Sequence, residues 1–218
     1  MSGIGKCVWT VAMVCLVAGC TMHLDKPVQV KQGDWARSIY GVDSSVRLED
    51  QARARKVSTV DGDIILGRWA RATALRTVDG NIVMGTGALC DGDVYNVDGA
   101  IHLSDDVRVD GNVGTLVGSI DVHGALVTGR LETVSGHIRL SGTTHVNHGI
   151  LLSLPDPDSD DVDEKRLPVV VVGPGVVVEG RIVARRGGTL WVSRKATIGP
   201  VEGITVQWFD GAAPPSAK

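Results

Sequence analysis

A seven-residue pattern recurs along this chain at nearly constant spacing. Its clearest copies are residues 60–66, 78–84 and 97–103, which read Val-Asp-Gly followed by alternating apolar residues; weaker copies begin at Val42, Leu116 and Val134. From Ser44 to Gly136, equivalent positions are separated by 18, 18, 19, 19 and 18 residues. A fixed period near 20 is typical of solenoids, because one such unit buries its apolar face only against its neighbours.

Each repeat has the pattern of short strands joined by bends. Val60, Ile64 and Leu66 alternate with more polar residues, as in a strand with one buried face. A further apolar residue lies just upstream in every copy, as in Val57-x-Thr59-Val60. Asp-Gly between two apolar runs predicts a tight bend, since Gly accepts positive φ and Asp bonds to its own backbone. No helical periodicity occurs.

The repeats are compatible with two arrangements of strands. An antiparallel sandwich also uses short strands, but it gives no reason for identical residues to recur in register. In parallel coils about 4.8 Å apart, each residue lies over the equivalent residue of the next coil. We therefore predict an all-β fold, a single-stranded parallel β-helix of about eight to nine coils of about 18–20 residues, over residues 39–210. An acidic insertion at 155–167 falls on a bend, and 211–218 is predicted to be a disordered tail.

The ends of such a rod expose strand edges and need covering. The few aromatic residues, 4% of the chain, include three near the predicted ends: Trp35, Trp208 and Phe209. We predict that these residues cap the core. Residues 20–38 are accordingly assigned to a linker and an N-terminal cap.

The N-terminus has the features of a targeting segment. Lys6 precedes an apolar run over residues 8–17, too short to span a hydrocarbon core, which needs about 20 residues. Leu-Val-Ala-Gly-Cys at 16–20 resembles a bacterial lipobox. That resemblance implies that residues 1–19 are a signal peptide and that Cys20 is lipidated. With Thr21 following the cysteine, it also implies an outer-membrane anchor facing the periplasm.

The remaining cysteine has two interpretations. If residues 1–19 are removed and Cys20 is lipidated, only Cys90 is left of four cysteines, so no intramolecular disulfide is expected. Cys90 is either a small buried apolar residue or a reactive thiol. We favour the first, because no basic residue beside it lowers its pKa.

One column of carboxylates is the main candidate site. Four aspartates occupy the same repeat position in successive coils: Asp43, Asp61, Asp79 and Asp98. Stacked carboxylates repel each other unless a cation bridges them. The column is therefore either an edge that binds a cation or a carbohydrate ligand, or a set of residues that each stabilise their own bend in solvent. We favour the second interpretation and predict no metal site and no cofactor.

A second set of polar residues bears on catalysis. Asp121 and Arg139 share an outward column with His102, and β-helix polysaccharide lyases and hydrolases carry such groups on one face. Those enzymes usually need long loops to wall a cleft, and this chain has one insertion, so no catalytic residue is assigned. No basic run with interleaved aromatic residues occurs, and the formal net charge is −3, which disfavours nucleic acid as a partner.

Short segments of the repeats resemble the sequences of two protein families. Thr-Val-Asp-Gly-Asp-Ile at 59–64, with its counterparts at 77–82 and 133–138, resembles repeats of an adhesin-like family of bacterial β-solenoids; residues 176–184 resemble bactofilins, which polymerise. Together with the lipobox, the solenoid repeats lead us to expect a non-catalytic, membrane-anchored scaffold or adhesive surface. Its partners would be the membrane and a cell-envelope polysaccharide or protein. The alternatives are a carbohydrate-active β-helix enzyme and a self-assembling structural protein, and the oligomeric state stays open.

Overall fold

The chain winds into a three-sided parallel β-helix. The computed structural model describes residues 20–24, 26–155 and 167–215, and in these residues all regular structure is β-strand. Three parallel sheets form the sides: sheets A and B have ten strands each and sheet C has nine. The predicted fold class is confirmed, with about nine turns, and the antiparallel sandwich is excluded.

Each coil contributes one strand to each sheet in the order A, B, C. Sheet A contains β1 (Cys20–Leu24), β4 (Ser38–Val42), β7 (Lys56–Asp61), β10 (Ala74–Asp79), β13 (Val94–Asp98), β16 (Val113–Thr115), β19 (Leu131–Thr133), β22 (Ile150–Leu152), β25 (Ile182–Ala184) and β28 (Val201–Glu202). Sheet B contains β2 (Val28–Val30), β5 (Val46–Leu48), β8 (Ile64–Leu66), β11 (Ile82–Met84), β14 (Ile101–Leu103), β17 (Ile120–His123), β20 (Ile138–Ser141), β23 (Val169–Val172), β26 (Thr189–Ser193) and β29 (Val206–Phe209). Sheet C contains β3 (Trp35–Ala36), β6 (Arg53–Ala54), β9 (Arg71–Ala72), β12 (Leu89–Cys90), β15 (Arg108–Val109), β18 (Leu126–Val127), β21 (His145–Val146), β24 (Val177–Val178) and β27 (Thr197–Ile198). Coil 1 comprises β1–β3, coil 2 comprises β4–β6, and so on to coil 9, which comprises β25–β27. The strands β28 and β29 follow coil 9.

The core is a set of apolar columns that run along the rod axis. In sheet B, five isoleucines pair in succession and are at most 1% exposed: Ile64, Ile82, Ile101, Ile120 and Ile138. Burying one such side chain contributes about 1.5–3 kcal/mol. Since each coil covers the apolar side chains of the previous one, the sequence period translates directly into a continuous interior.

One inward column of sheet A is polar, and it supports the A–B bends. Thr59 donates its hydroxyl to the carbonyl of Ser44 (3.0 Å), and the hydroxyl of Thr133 accepts the N–H of Gly136 (2.9 Å). Asn96 donates to the carbonyl of Gly99 (2.9 Å). These bonds explain the Thr in the repeat, because a buried bend needs partners for its backbone groups.

The cysteine left after residue 20 lies inside the stack. Cys90 ends β12 and is 1% exposed. Burial raises the pKa of its thiol to about 12, so the thiolate is scarce at neutral pH. The interpretation of Cys90 as a small buried apolar residue agrees with this environment.

Two expectations about the ends are wrong. The solenoid begins before residue 39, because β1, β2 and β3 already pair with coil 2; this first coil has no Val-Asp-Gly copy to reveal it. Trp35 is 60% exposed on the outer side of sheet C, so it covers no core. Trp208 pairs with the buried Val192 and is still 47% exposed, since no described coil lies beyond it. Of the three predicted caps, only Phe209 is buried.

The acidic insertion interrupts the chain and leaves the stack intact. Most of it (residues 156–166), the predicted signal peptide (1–19) and the end of the tail (216–218) lie outside the described residues. Strand β22 of sheet A ends at Leu152, and the next strand, β23 of sheet B, begins at Val169. Val170 of β23 pairs with Ile138 of the coil before it. The insertion therefore occupies an A–B bend. The described part of the chain contains no helix that could cross a membrane.

Candidate functional site

The structure brings the four predicted aspartates into one line. Asp61, Asp79 and Asp98 are direct register partners at the A–B bend, and Asp43 follows β4 one coil earlier. All four are exposed. Loss of solvation, a hydrogen bond with Asp43, and the charges of Asp43 and Asp79 raise the pKa of Asp61 above its ordinary value. Asp43 and Asp79 therefore lie close enough to Asp61 to disfavour its charged form.

The next polar column serves the backbone. The N–H of Asn81 donates to Asp63 Oδ1 (2.8 Å), and the N–H of Ala100 donates to Asn81 Oδ1 (2.9 Å). These side chains complete the hydrogen bonding of the bends, which is a structural role. Among the described residues, no group of three or more His, Cys, Asp or Glu side chains is arranged to hold a metal ion.

The charge of Asp61 is expected to destabilise the fold near neutral pH. Its pKa is raised in the folded state, so its favourable contribution is present below about pH 3.8 and is lost as pH rises through the folded pKa. Asp61→Asn should therefore unfold at a higher temperature than the wild type at neutral pH, with the difference shrinking near pH 3.8. Thermal unfolding followed by circular dichroism at both pH values measures this.

Calcium provides the control for that comparison. If the aspartate column binds a divalent cation, calcium will raise the unfolding temperature of the wild type and have less effect on Asp61→Asn, and a chelator will reverse it. An Asp61→Asn variant that is less stable than the wild type at neutral pH, with or without calcium, contradicts the repulsion described above.

A polar column runs down the outer face of sheet B. His102, Asp121 and Arg139 are successive register partners in β14, β17 and β20. Nδ1 of His102 lies 3.5 Å from Oδ2 of Asp121. The shared column inferred from the sequence is therefore present, with a carboxylate between an imidazole and a guanidinium.

A second column lies beside the first. Nδ1 of His123 is 2.9 Å from Oγ of Ser141, and Nε2 of His123 is 3.5 Å from Oδ1 of Asp105. The repeat pattern does not predict this set, because the register of β14 with β17 is 19 residues: Ser104 is the repeat equivalent of His123, and Asp105 reaches the imidazole from the following position. These side chains lie at the downstream end of each sheet B strand or just after it, where the repeat pattern has no marker residue.

The two columns line one open depression across coils 4 to 7. Its wall contains Thr86 and Leu103 besides the six polar residues of the columns. A neighbouring depression shares Asp121 and Arg139 and continues to Val169 and Val171 in coil 8. We call this surface the polar face of sheet B: His102, Asp105, Asp121, His123, Arg139 and Ser141.

The chemistry of the polar face suits hydrogen bonding to an exposed ligand. A serine that contacts a histidine, which in turn contacts an aspartate, also occurs in nucleophilic hydrolases. There the aspartate is buried and fixes the orientation of the imidazole. Here the side chains of His123 and Asp105 are 60% and 61% exposed, so water competes for every bond. The polar face thus presents alternating donors and acceptors about 4.8 Å apart along a flat sheet.

Comparison with known proteins leaves the role to be argued from this geometry. No protein-family model, curated protein or solved structure matches the chain.

Proposed function

We infer that this protein is a lipid-anchored β-solenoid scaffold of the bacterial cell envelope, and that its polar face binds an extended polar ligand without altering it. The observation that carries the binding role is the pair of adjacent polar columns on the outer face of sheet B. A polysaccharide is the ligand class that fits best, because its hydroxyl groups both donate and accept hydrogen bonds along an extended chain.

The anchoring part of the proposal depends on the N-terminal sequence. The lipobox-like residues 16–20 place lipid on Cys20, and several acyl chains give stable attachment, since each buried methylene contributes about 0.8 kcal/mol. Growth with a labelled fatty acid tests this directly. The protein is expected to carry the label, and Cys20→Ser to lack it.

Binding to the polar face is tested with polysaccharide fractions from the cell envelope. Arg139→Ala and His123→Ala are each expected to weaken binding about tenfold or more, because each removes hydrogen bonds to a polar ligand. Arg47→Ala is the matched control: Arg47 lies in the same outward column of sheet B, in coil 2, away from the depression. Equal losses in Arg47→Ala and Arg139→Ala would contradict the proposed location.

A second candidate function, hydrolysis, rests on the contact between Ser141 and His123. In the same assay, shortening of the bound polysaccharide would indicate an enzyme. Ser141→Ala would then abolish shortening while leaving binding largely intact. We expect the polysaccharide to be recovered at its original length, since the exposed Asp105 gives the imidazole little fixed support.

A further inference from the structure

Coils 1 to 3 carry a basic and aromatic surface on sheet C. Its outward column begins with Trp35, Arg53 and Arg71, which are successive register partners in β3, β6 and β9. The adjacent C–A corner adds Arg37 and Arg55, whose backbones bond to each other (3.3 Å), and the following Lys56. We call this set the basic face: Trp35, Arg37, Arg53, Arg55, Lys56, Trp69 and Arg71.

Most of the charge on the basic face is uncompensated. Arg71 pairs with Asp91 (2.8 Å). In the part of the chain that the structure describes, the other four cations form no ion pair: Arg37, Arg53, Arg55 and Lys56. All four are exposed. Arg53, Arg55 and Lys56 are close together in the chain, whereas Trp35, Arg37 and Arg71 lie about one repeat away and join them only in the stack.

Trp69 extends the basic face at the B–C corner. It is 59% exposed and has φ of 58°, a conformation that is strained for a bulky residue. The equivalent residues in the two adjacent coils are Gln51 and Gly87, and both also have positive φ (62° and 71°). The ring of Trp69 fills the space that a Cβ at Gly87 would need. The positive φ is therefore a feature of this corner of the repeat, and the large apolar ring that Trp69 holds at the surface is particular to coil 3.

The proposed anchor point lies at the C–A corner, beside Arg37, Arg55 and Lys56. β1 pairs with β4 from its first residue, with Cys20 opposite Ser38. In the next coil Ile39 pairs with Val57, so the residues before them, Ser38 and Lys56, also lie opposite each other. Cys20, Ser38 and Lys56 therefore form one column along the edge of sheet A. Residue 20 therefore belongs to the stack itself, about two coil spacings, or roughly 10 Å, from Lys56. Lipid on Cys20 would leave the rod beside the basic face with no intervening linker.

We propose that the basic face lies against the anionic headgroups of the membrane that holds the anchor, a proposal that rests on lipidation of Cys20. Each basic residue near an anionic surface strengthens association about fivefold, and tryptophan side chains favour the membrane interface. The rod is then oriented with sheet C in coils 1–3 on the lipid. The polar face, on sheet B, stays accessible to a ligand.

The test uses the full chain with Trp9→Phe, isolated from bacterial membranes and reconstituted into phosphatidylcholine vesicles with or without phosphatidylglycerol. Brominated acyl chains quench the fluorescence of tryptophans at the interface. We expect quenching in the anionic vesicles and at least twofold less quenching in vesicles without phosphatidylglycerol. Trp35→Phe and Trp69→Phe should each reduce the quenching, and Trp191→Phe should not. Arg53→Glu/Arg55→Glu should reduce it to the level of the neutral vesicles.

Arg47→Glu/Arg76→Glu is the control of equal charge, since Arg47 and Arg76 are exposed on sheets B and A; it should quench like the parent. Equal quenching in both vesicle types, or equal loss in both double variants, overturns the proposal. So does binding of a nucleic acid or an acidic polysaccharide by the basic face without lipid quenching. Fatty-acid labelling of the same samples is scored separately, so a failure of anchoring is distinguished from a failure of docking.

Discussion

Gly118→Ala is expected to prevent the coils from closing on each other, with a loss of about 4 kcal/mol or more in the free energy of unfolding. Gly118 stands at the repeat's glycine position, where the backbones of adjacent coils come closest. A Cβ there would overlap the carbonyl oxygen of Gly99 in the coil before it. Because the obstacle is the backbone of the bend between β13 and β14, it yields only if the parallel ladders on either side of that bend separate.

Gly187→Ala is the matched control for this substitution. A Cβ at Gly187 meets only the methyl groups of Leu167, at 3.7 Å, which is an ordinary contact. Its free energy of unfolding should change by less than about 1 kcal/mol. Urea denaturation followed by circular dichroism compares the two variants. A Gly118→Ala protein as stable as Gly187→Ala would show that the coils do not approach as closely as described.

Ile82→Ala is expected to lower the free energy of unfolding by about 2–5 kcal/mol, because it leaves a cavity in a continuous apolar column. Ile82 is fully buried between Ile64 and Ile101. The adjacent Val83→Ala, on the outer side of the same strand, is the control and should cost less than about 1 kcal/mol. Each coil contacts only its neighbours, so a lesion in coil 4 also weakens the coupling between the two halves of the rod.

The measurement for this pair is chemical denaturation monitored by two probes. In a Trp9→Phe/Trp35→Phe/Trp69→Phe background, Ile82→Ala is expected to shift the midpoint and to broaden or split the transition. The fluorescence of Trp191 and Trp208 then reports the far end of the rod, and circular dichroism reports the whole. Val83→Ala should keep one transition. Equal destabilisation by both variants would mean that the two faces of β11 are not distinguished by burial.

Much of the architecture follows from the repeat alone. An 18- or 19-residue period with inward Ile and Thr determines a parallel stack, since only parallel coils place Ile82 on Ile64 and Ile101. The same repeat period places Asp61, Asp79 and Asp98 in one line. The predicted outward column with Asp121 follows equally, because side chains alternate along a strand.

Other features were decided by the tertiary structure. Sheet C consists of strands of two residues, each with one inward side chain such as Ala54 or Cys90, which is too short for any periodicity to be read. Coil 1 lacks the Val-Asp-Gly copy and is specified by its pairing with coil 2. The exposure of Trp35 follows from its outward position in sheet C.

The second column of the polar face and the basic face belong to this second class. The Ser141–His123–Asp105 contacts and the Trp35–Arg53–Arg71 column of the basic face join residues that are a whole repeat apart in the chain and about 4.8 Å apart in space. The sequence by itself determined that the chain stacks, because hydrophobic burial depends on the pattern of apolar residues. Only the stack decided which polar side chains meet, because their positions depend on how each bend turns the chain from one sheet to the next.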